Sequence, residues 1–242
     1  MPLEMDFPLS AWLRARFAAG QPFVIGVAGG VAAGKSTFAR ALRDELQTWS
    51  EHPRVEIVAT DGFLFPNAVL AERGITMRKG FPESYDVAAL CAAVGALRRG
   101  ERVEIPLYSH VTYDIDTERK EVVDDADVVI LDGLHLAQIE TKDAPRLIDA
   151  LLYLDAEEDV IERWFIDRLV PLMEAGVDDP KSFYYAFRTM DDAGRRDFAK
   201  RVWQGINLPN LRDHIIKDRA AADLVVYKAA DHRVVHVTER RR

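Results

Sequence analysis

The sequence predicts an α/β fold in which helices cover both faces of a mainly parallel central sheet. Three observations support this prediction. Residues 22–29 and 150–156 are continuous apolar runs of strand length, as expected for strands that are buried on both faces. Helical patterns lie between the predicted strands, which is the order that a parallel sheet needs. A glycine-rich loop also joins the first strand directly to a helix.

The individual elements follow from the spacing of apolar residues. A first helix is predicted over 7–19, where Leu9, Leu13 and Phe17 recur on one face. The other predicted helices are 35–48, 86–99, 157–173 and 182–204, and a structured loop is predicted at 62–86. The predicted strands are 22–29, 54–60, 121–132, 150–156, 222–230 and 233–239, the last two as a hairpin. We expect one domain over 1–242, with an N-terminal helical segment at 1–20 and a helical lid at about 165–210.

Composition limits the function. The 242 residues include 32 Lys and Arg against 40 Asp and Glu, so the formal net charge is −8, and an acidic chain is not expected to bind nucleic acid. The single cysteine, Cys91, excludes an intrachain disulfide and a cysteine-cluster metal site. No window of about 18 apolar residues predicts a membrane span, and the first residues do not resemble a signal peptide. We therefore expect a cytoplasmic protein.

A phosphate-binding loop follows the first predicted strand, because residues 29–36 match G-x-x-x-x-G-K-[ST] in full. Glycines let successive N–H groups point at phosphate oxygens, and the following helix adds the positive end of its dipole. Lys35 is expected to reach the β- and γ-phosphates, and Ser36 to bind Mg²⁺. The loop predicts a three-layer P-loop NTPase fold and a nucleoside triphosphate ligand. The predicted nucleotide-binding residues here are Gly29, Gly30, Val31, Ala32, Ala33, Gly34, Lys35, Ser36 and Thr37.

Two carboxylates at predicted strand ends favour a small-molecule kinase over a GTPase switch, which would need a base-reading motif such as N-K-x-D that this sequence lacks. Asp61 follows the second predicted strand, where ligands of open α/β sheets bind, and is a candidate base for a substrate hydroxyl. Asp132 ends an apolar strand and is a candidate Mg²⁺ ligand. Each acid is followed by glycine, so a simple strand-ending turn is the alternative interpretation.

Longer segments resemble bacterial type I pantothenate kinase, a family in the phosphoribulokinase/uridine kinase group of P-loop kinases. The most specific are TDGFLFPN at 60–67, KGFPESYD at 79–86 and YSHVTYD at 108–114, and the resemblance runs from about residue 22 to about 239. It implies transfer of a phosphoryl group from ATP, with Mg²⁺, to the primary hydroxyl of pantothenate, the first step towards coenzyme A. Members of that family form homodimers, and the sequence leaves the oligomeric state of this chain open.

The resemblance also implies residue roles. Asp61 would be the base that faces the hydroxyl, while Lys35 and Arg168 would stabilise the transferring phosphoryl group. Arg40 lies in the segment that family feedback by coenzyme A involves. The implied acceptor-binding residues are Tyr108, His110, Tyr113, Arg168 and Asn207. The residues implied near the adenine are Lys228 and His232.

The chain departs from the family pattern at four points. Only about 20 residues precede the first strand, so the adenine pocket is expected to be built differently from that of the family or to lie more open. Asp132 stands where the family has glutamate, and Phe165 replaces a substrate-facing tyrosine. Aliphatic residues replace several aromatics of the family's pocket, namely Leu169, Leu172 and Val177. Stacking contacts would be lost there, so we expect weak feedback inhibition by coenzyme A.

Several alternatives remain open from the sequence. The acceptor could be another alcohol, such as a nucleoside, a sugar or glycerate, or the chain could be a non-catalytic nucleotide-binding regulator. Taken alone, His110 could be structural, Arg168 a surface ion-pair residue and Asn207 a turn or helix-end residue. A group of aromatic residues is expected either to cover the substrate tail or to pack helices together: Trp164, Phe183, Tyr184, Tyr185 and Phe187.

Overall fold

The computed structural model describes residues 6–18, 20–139 and 147–240. In these residues the strands are β1 (Phe23–Gly29), β2 (Val55–Ala59), β3 (Val103–Ser109), β4 (Asp114–Val123), β5 (Val128–Asp132), β6 (Ala150–Asp155), β7 (Leu224–Lys228) and β8 (Val234–Glu239). The helices are α1 (Leu9–Arg14), α2 (Lys35–Leu46), α3 (Asn67–Glu72), α4 (Val87–Arg98), α5 (Glu158–Gly176), α6 (Asp192–Val202), α7 (Leu208–Asn210) and α8 (Ile216–Ala221). No helix in this part of the chain has the length and apolarity that crossing a membrane requires.

Six strands form the central sheet, in the order β2-β5-β1-β6-β7-β8. The first five in that order are parallel to one another, and β8 pairs antiparallel with β7. Every residue of β1 is buried, as its continuous apolar sequence predicts. The predicted mainly parallel α/β sheet is therefore confirmed, together with the late hairpin of β7 and β8.

Apolar cores lie on both faces of this sheet, because successive side chains of a strand point to opposite sides. Phe23, Ile25 and Val27 of β1 pack into the core that α1 and α2 cover. Val24 and Ala28 of the same strand pack into the opposite core, to which α4, α5 and α8 contribute or lie adjacent. Two helical layers thus enclose the sheet, as the three-layer prediction requires. Helix α1 is shorter than the predicted 7–19, and residues 1–5 and 19 lie outside the described residues.

The register of the sheet brings three functional segments to one edge. Asp132, the last residue of β5, pairs with Val27 of β1 on one side and with Ala59 of β2 on the other. The three strands run in the same direction, so the segments that follow them emerge together. The phosphate-binding loop, the turn that contains Asp61 and the end of β5 are consequently neighbours.

A two-stranded sheet of β3 and β4 differs from the sequence prediction. The buried strand predicted at the end of 121–132 is confirmed as β5, but the earlier residues of that stretch belong to β4, because the chain turns at Asp125, whose φ is 55°. The sequence of β4 is largely charged, and β3 contains Pro106, where the pairing register shifts. Apolar runs identify buried strands, whereas this hairpin is partly exposed and therefore lacks that signal.

The segment predicted as one helix over 182–204 is also different. Residues Phe183–Phe187 form a short 3₁₀ helix, and α6 begins only at Asp192. The carboxylate of Asp191 accepts a hydrogen bond from the Gly194 N–H at 2.8 Å, which caps this start. Beyond α6 the chain stays helical to Ala221 through two π-helical segments, Trp203–Asn207 and Leu211–Ile215. Pro209 lies between them and lacks an N–H donor, which accounts for the altered hydrogen bonding.

The hairpin packs directly against the turn that carries Asp61. A β-carbon added at Gly62 would lie 2.1 Å from the carbonyl oxygen of Pro106 in β3. A β-carbon at Gly133 would lie 1.7 Å from the Oγ1 atom of the buried Thr60. Neither glycine has a positive φ. The close approach of a neighbouring segment, and not a turn conformation, explains why glycine follows each acid.

We predict that Gly62→Ala destabilises the protein by about 1–3 kcal/mol, the usual cost of overpacking a rigid contact. The matched control is Gly95→Ala in the middle of α4, where the nearest atom to the added β-carbon is Arg99 Nη1 at 3.5 Å. Replacing a helical glycine there should stabilise by roughly 0.5–1 kcal/mol. Urea unfolding of both variants measures the two effects, and equal midpoints would contradict the close approach of β3.

Candidate active site

The phosphate-binding loop connects β1 to α2 and has the backbone conformations that a tight anion cradle needs. Gly29 and Gly34 have φ values of 147° and 85°, and Ala32 has a φ of 68°. Gly34 is the N-cap residue of α2, so Lys35 begins the helix as predicted. The first N–H groups of α2 consequently point towards the inside of the loop, where they can bind phosphate oxygens.

The Lys35 side chain folds back onto the phosphate-binding loop. Its Nζ atom donates hydrogen bonds to the carbonyl oxygens of Gly29 at 3.1 Å and Gly30 at 2.9 Å. Burial lowers the pKa of Lys35, and the nearby carboxylates of Asp132 and Asp61 oppose that shift. The ammonium therefore lies between the phosphate loop and both predicted acids, which is where a transferring phosphoryl group would carry its charge.

A cavity of about 580 Å³ opens beside the loop. This volume is in the usual range for a small-molecule or cofactor site. Its described lining residues are Ala32, Gly34, Lys35, Ser36, Thr37, Arg40, His110, Trp164, Asp167, Arg168 and His232. We call it the nucleotide cavity, and it brings together predicted residues from the loop, from α5 and from the segment between β7 and β8.

An aromatic pair forms one wall of the nucleotide cavity. The rings of Trp164 and His232 stack with their centroids 4.1 Å apart and 17° between their planes. The Lys228 Nζ atom lies 5.2 Å from the Trp164 ring and donates to the Ala33 carbonyl at 2.8 Å. Burial lowers the pKa of Lys228 to about 8. Lys228 and His232, both predicted near the adenine, thus lie beside the phosphate loop.

Asp61 and Asp132 line a second cavity of about 200 Å³. We call it the acceptor cavity, since the predicted base Asp61 lines it. The Asp61 Oδ1 atom accepts a hydrogen bond from the Tyr85 hydroxyl at 3.3 Å. Burial and Asp61 together raise the pKa of Tyr85 well above its usual value, so this phenol remains a donor. Asp132 is buried, with 9% of its surface exposed.

The nucleotide and acceptor cavities share a wall. Among the described residues, both are lined by Ala32, Lys35, Ser36, His110 and Arg168. Arg168, on α5, lines both cavities, so it is placed where one side chain could contact both a phosphate and an acceptor. Arg40 lines only the nucleotide cavity, where its Nη2 atom lies 3.4 Å from Thr37 Oγ1.

The predicted acceptor-binding aromatics lie on the β3–β4 hairpin. The Tyr108 ring is 5.2 Å from the His110 ring and 6.0 Å from the Tyr113 ring. Tyr108 and His110 line the acceptor cavity. Burial raises the pKa of Tyr113 to about 12 and also raises that of Tyr108, so both phenols stay protonated and can donate hydrogen bonds.

Lys79 is a candidate site residue to which sequence analysis assigned no role. Its Nζ atom donates to Asn67 Oδ1 at 2.7 Å and to the Tyr113 carbonyl oxygen at 2.6 Å. It also lies 5.0 Å and 4.6 Å from the ring centroids of Tyr108 and Tyr113. Burial lowers the pKa of Lys79 to about 8, although Asp114 and Asp61 oppose the shift. The signal was present, since Lys79 begins the segment KGFPESYD.

Three residues at positions expected to face the substrate are absent from the described linings of both cavities: Tyr113, Asn207 and Phe165. Asn207 is half-buried in a π-helical segment and is not among the described residues that line either cavity. Phe165 is buried, and its ring centroid lies 5.9 Å from that of Trp203. The aliphatic residues predicted at the pocket are also outside the described cavity linings: Leu169, Leu172 and Val177.

The predicted aromatic group divides into separate sets. Trp164 stacks on His232 in the nucleotide cavity. Phe183 stacks on Tyr113 with ring centroids 4.7 Å apart, and its N–H donates to the Val111 carbonyl at 2.8 Å. Ring contacts of Phe183 continue to Tyr184 and Phe187. The 3₁₀ helix after α5 is thus attached to the tip of the β3–β4 hairpin, next to the acceptor cavity.

Comparison with known proteins identifies the family. The model of the phosphoribulokinase / uridine kinase family matches residues 24–170. The pantothenate kinase of Brucella ovis is 41% identical over 231 residues, which cover 91% of this chain and 71% of that protein.

Two solved structures share the fold. A Silicibacter protein described as a fructose transport system kinase has a TM-score of 0.67 at 22% identity, over 88% of this chain and 93% of that one. D-glycerate 3-kinase from Cryptococcus neoformans has a TM-score of 0.63 at 15% identity, over 96% and 95%. At these identities the likeness concerns architecture alone. The family match covers more than half of the chain and the Brucella relative covers most of it, so this protein belongs to the phosphoribulokinase/uridine kinase family and, within it, to the pantothenate kinases.

Proposed function

We propose that this kinase transfers the γ-phosphoryl group of ATP to the primary hydroxyl of pantothenate and forms 4′-phosphopantothenate. One observation carries the proposal: the nucleotide cavity and the acceptor cavity share Lys35, Ser36 and Arg168 as a common wall. A nucleotide in the first cavity would therefore direct its terminal phosphate towards Asp61 in the second. Pantothenate as the acceptor is supported by the pantothenate kinase of Brucella ovis, at 41% identity.

Asp61 is the proposed base. In the reaction the acceptor oxygen forms a bond to the γ-phosphorus, and its proton passes to the Asp61 carboxylate. The bond between that phosphorus and the oxygen bridging to the β-phosphate breaks, and ADP leaves. The Tyr85 hydroxyl donates to one carboxylate oxygen, which leaves the other to orient the acceptor hydroxyl. Phosphoryl transfer depends mainly on such positioning and on charge stabilisation.

Lys35 and Arg168 are proposed to balance the charge of the transferring group. Lys35 is held by two loop carbonyls, so it needs little rearrangement to meet the γ-phosphate. Arg168 reaches the same place from α5, which belongs to the helical region over the strand ends. Fixed positive groups in a partly buried site stabilise developing charge more strongly than groups in water.

The donor set also fits a divalent metal. The Ser36 hydroxyl and the Asp132 carboxylate both line the acceptor cavity, and oxygen donors of this kind suit Mg²⁺, which retains several waters and also binds phosphates. Mg²⁺ supplies neutralisation of phosphate charge when bound. The carboxylate of Asp132 has a shorter arm than glutamate, so we expect it to hold the ion through water.

The acceptor itself would be held by polar groups on the hairpin and on the loop before α4. Pantothenate is an anion with hydroxyl and amide groups, which need donors and a positive charge. Tyr108, His110 and Tyr113 supply donors, and Lys79 supplies a cation. Two of the Lys79 N–H groups are used within the protein, and the third has no acceptor among the described residues. Asn207 stays a proposed amide ligand that lid closure would have to bring to the acceptor.

The first test is ADP release from Mg·ATP with pantothenate, uridine, D-fructose or D-glycerate as acceptor, each against a blank without acceptor. We expect saturable release that depends on pantothenate. Release with another of these alcohols would retain the kinase assignment but overturn pantothenate as the substrate. ATP binding without release for any acceptor would instead favour a non-catalytic regulator.

We predict that Asp61→Asn lowers kcat with pantothenate by at least about 10²-fold, the usual contribution of a general base. ATP affinity should be retained, because Asp61 is absent from the described lining of the nucleotide cavity. Steady-state kinetics and nucleotide titration measure the two quantities. Asp178→Asn makes the same change at an exposed position and should leave both unaltered. Near-normal turnover in Asp61→Asn would remove this residue from the role.

We predict that kcat/KM for pantothenate, at saturating Mg·ATP, falls as the pH rises through about 8, because Lys79 then loses its proton and positive charge. In Lys79→Arg the guanidinium stays charged, since its pKa lies above about 12. The decline should therefore disappear in that variant. Lys217→Arg, at an exposed position on α8, is the control and should keep the wild-type profile. A decline that persists in Lys79→Arg would assign the titration to another group.

We predict weak inhibition by coenzyme A. Arg40 lines the nucleotide cavity, where it is available to a phosphate of the inhibitor. The aliphatic residues predicted at the pantetheine end lie outside the described linings and provide no stacking surface. Initial rates at varied ATP and coenzyme A measure the effect. Potent, ATP-competitive inhibition at micromolar coenzyme A would contradict the prediction, and loss of the residual inhibition in Arg40→Ala would support the role of that arginine.

A further inference from the structure

The carbonyl oxygen of Gly80 accepts hydrogen bonds from two side chains that are distant in sequence. His135 Nε2 lies 2.8 Å from it, and Asn210 Nδ2 donates to it at 2.7 Å. His135 follows β5, and Asn210 is the last residue of α7. A carbonyl oxygen has two lone pairs, so it can accept both bonds at once. Three separate parts of the chain therefore meet at one backbone atom.

Both donors are buried, and each has an energetically unfavourable feature. His135 is 3% exposed, and Asn210 is 2% exposed. His135 has a φ of 58°, a conformation that residues with a β-carbon rarely adopt. The Oδ1 atom of Asn210 is buried with no partner among the described residues. An apolar side chain at position 210 would avoid the unpaired oxygen, so packing alone does not explain the asparagine.

The protonation state of the histidine follows from its surroundings. Burial lowers the pKa of His135 to about 4, so the ring is neutral in the neutral pH range. The Gly80 carbonyl can only accept a hydrogen bond, so the proton of the neutral ring is on Nε2. The contact is thus a normal N–H···O bond that does not titrate where the enzyme would operate.

Gly80, whose carbonyl accepts these two hydrogen bonds, directly follows Lys79 in the chain. On the other side of Gly80, its own N–H donates to the Oγ atom of the buried Ser84 at 2.9 Å. Gly80 has a φ of 88°, which suits glycine. With its N–H and its carbonyl both bonded, Gly80 cannot rotate freely, and the backbone that carries Lys79 is fixed in direction. The Lys79 ammonium can then reach Asn67 and the hairpin carbonyl of Tyr113.

We propose that His135 and Asn210 are positioning residues, which through the Gly80 carbonyl hold Lys79 against Tyr108 and Tyr113 of the β3–β4 hairpin. The inference rests on the proposed function, because it takes Lys79 to be a ligand of the acceptor. It also connects the continuous helical region from α6 to α8, which contains Asn210, to the loop that carries Lys79. A movement of that region would displace the cation that faces the acceptor, while leaving the phosphate loop in place.

The first readout of the test does not need a substrate. Competitive labelling of lysine amines with acetic anhydride over a pH series, followed by peptide mass spectrometry, gives the titration midpoint of each lysine. In the wild type, Lys79 and Lys228 should both titrate near 8. The charged groups that face Lys79 are Asp114 and Asp61, and every variant below leaves them unchanged.

His135→Leu and Asn210→Leu remove one donor each without adding charge. We expect the Lys79 midpoint to rise towards the ordinary lysine value of about 10.4, while Lys228 stays near 8. His135→Gln has the same backbone strain but retains an amide donor, and it should restore the wild-type midpoint. Gln204→Leu makes the amide-to-leucine change at an exposed position of the same helical region and should have no effect.

Kinetics supply the second readout. His135→Leu and Asn210→Leu should raise KM for pantothenate about fivefold or more, the effect of losing one net hydrogen bond, with KM for ATP unchanged. A Lys79 midpoint that remains near 8 in both leucine variants would overturn the proposal. Equal shifts of Lys79 and Lys228 would also overturn it, because they would indicate general loosening. If the wild type releases no ADP with pantothenate, the proposed function fails. The labelling result still decides whether His135 and Asn210 position Lys79.

Discussion

The parallel pairing of β5 between β1 and β2 is the constraint on which the site depends. This pairing places Asp132 level with Val27 and Ala59, so the segments after all three strands leave the sheet at one edge. Hydrogen bonds of the sheet hold that register. A shift of one residue would turn each buried side chain of β5 to the opposite face of the sheet. The phosphate loop, the Asp61 turn and the end of β5 therefore need no separate device to bring them together.

The site also contains three partly buried lysine ammonium groups. Lys35, Lys79 and Lys228 all have a lowered pKa because burial disfavours the charged form. Each ammonium donates to backbone carbonyl oxygens, which compensate part of the lost hydration. An anionic ligand would restore the missing charge balance. The protein thus holds three cations ready in a region where their attraction for phosphate and carboxylate is stronger than in water.

The acceptor side is built from pieces that lie outside the central sheet. The β3–β4 hairpin contacts the sheet edge through the close approach of Pro106 to Gly62. Its tip is joined to the region after α5 by the stacking of Tyr113 on Phe183. Such an arrangement lets the phosphate-binding half keep one geometry while the acceptor half varies.

The sequence by itself determined the central sheet, the phosphate loop and the two acids at strand ends, because continuous apolar runs and a loop of fixed spacing are local signals. Segment resemblance also identified the family. Only the tertiary structure decided the hairpin and the late start of α6, since a partly exposed ribbon and a capped helix start have weaker patterns. It alone decided that Phe165 is buried and that His135 and Asn210 meet at Gly80. Contacts between residues 55 and 130 positions apart depend on chain folding, which no local pattern encodes.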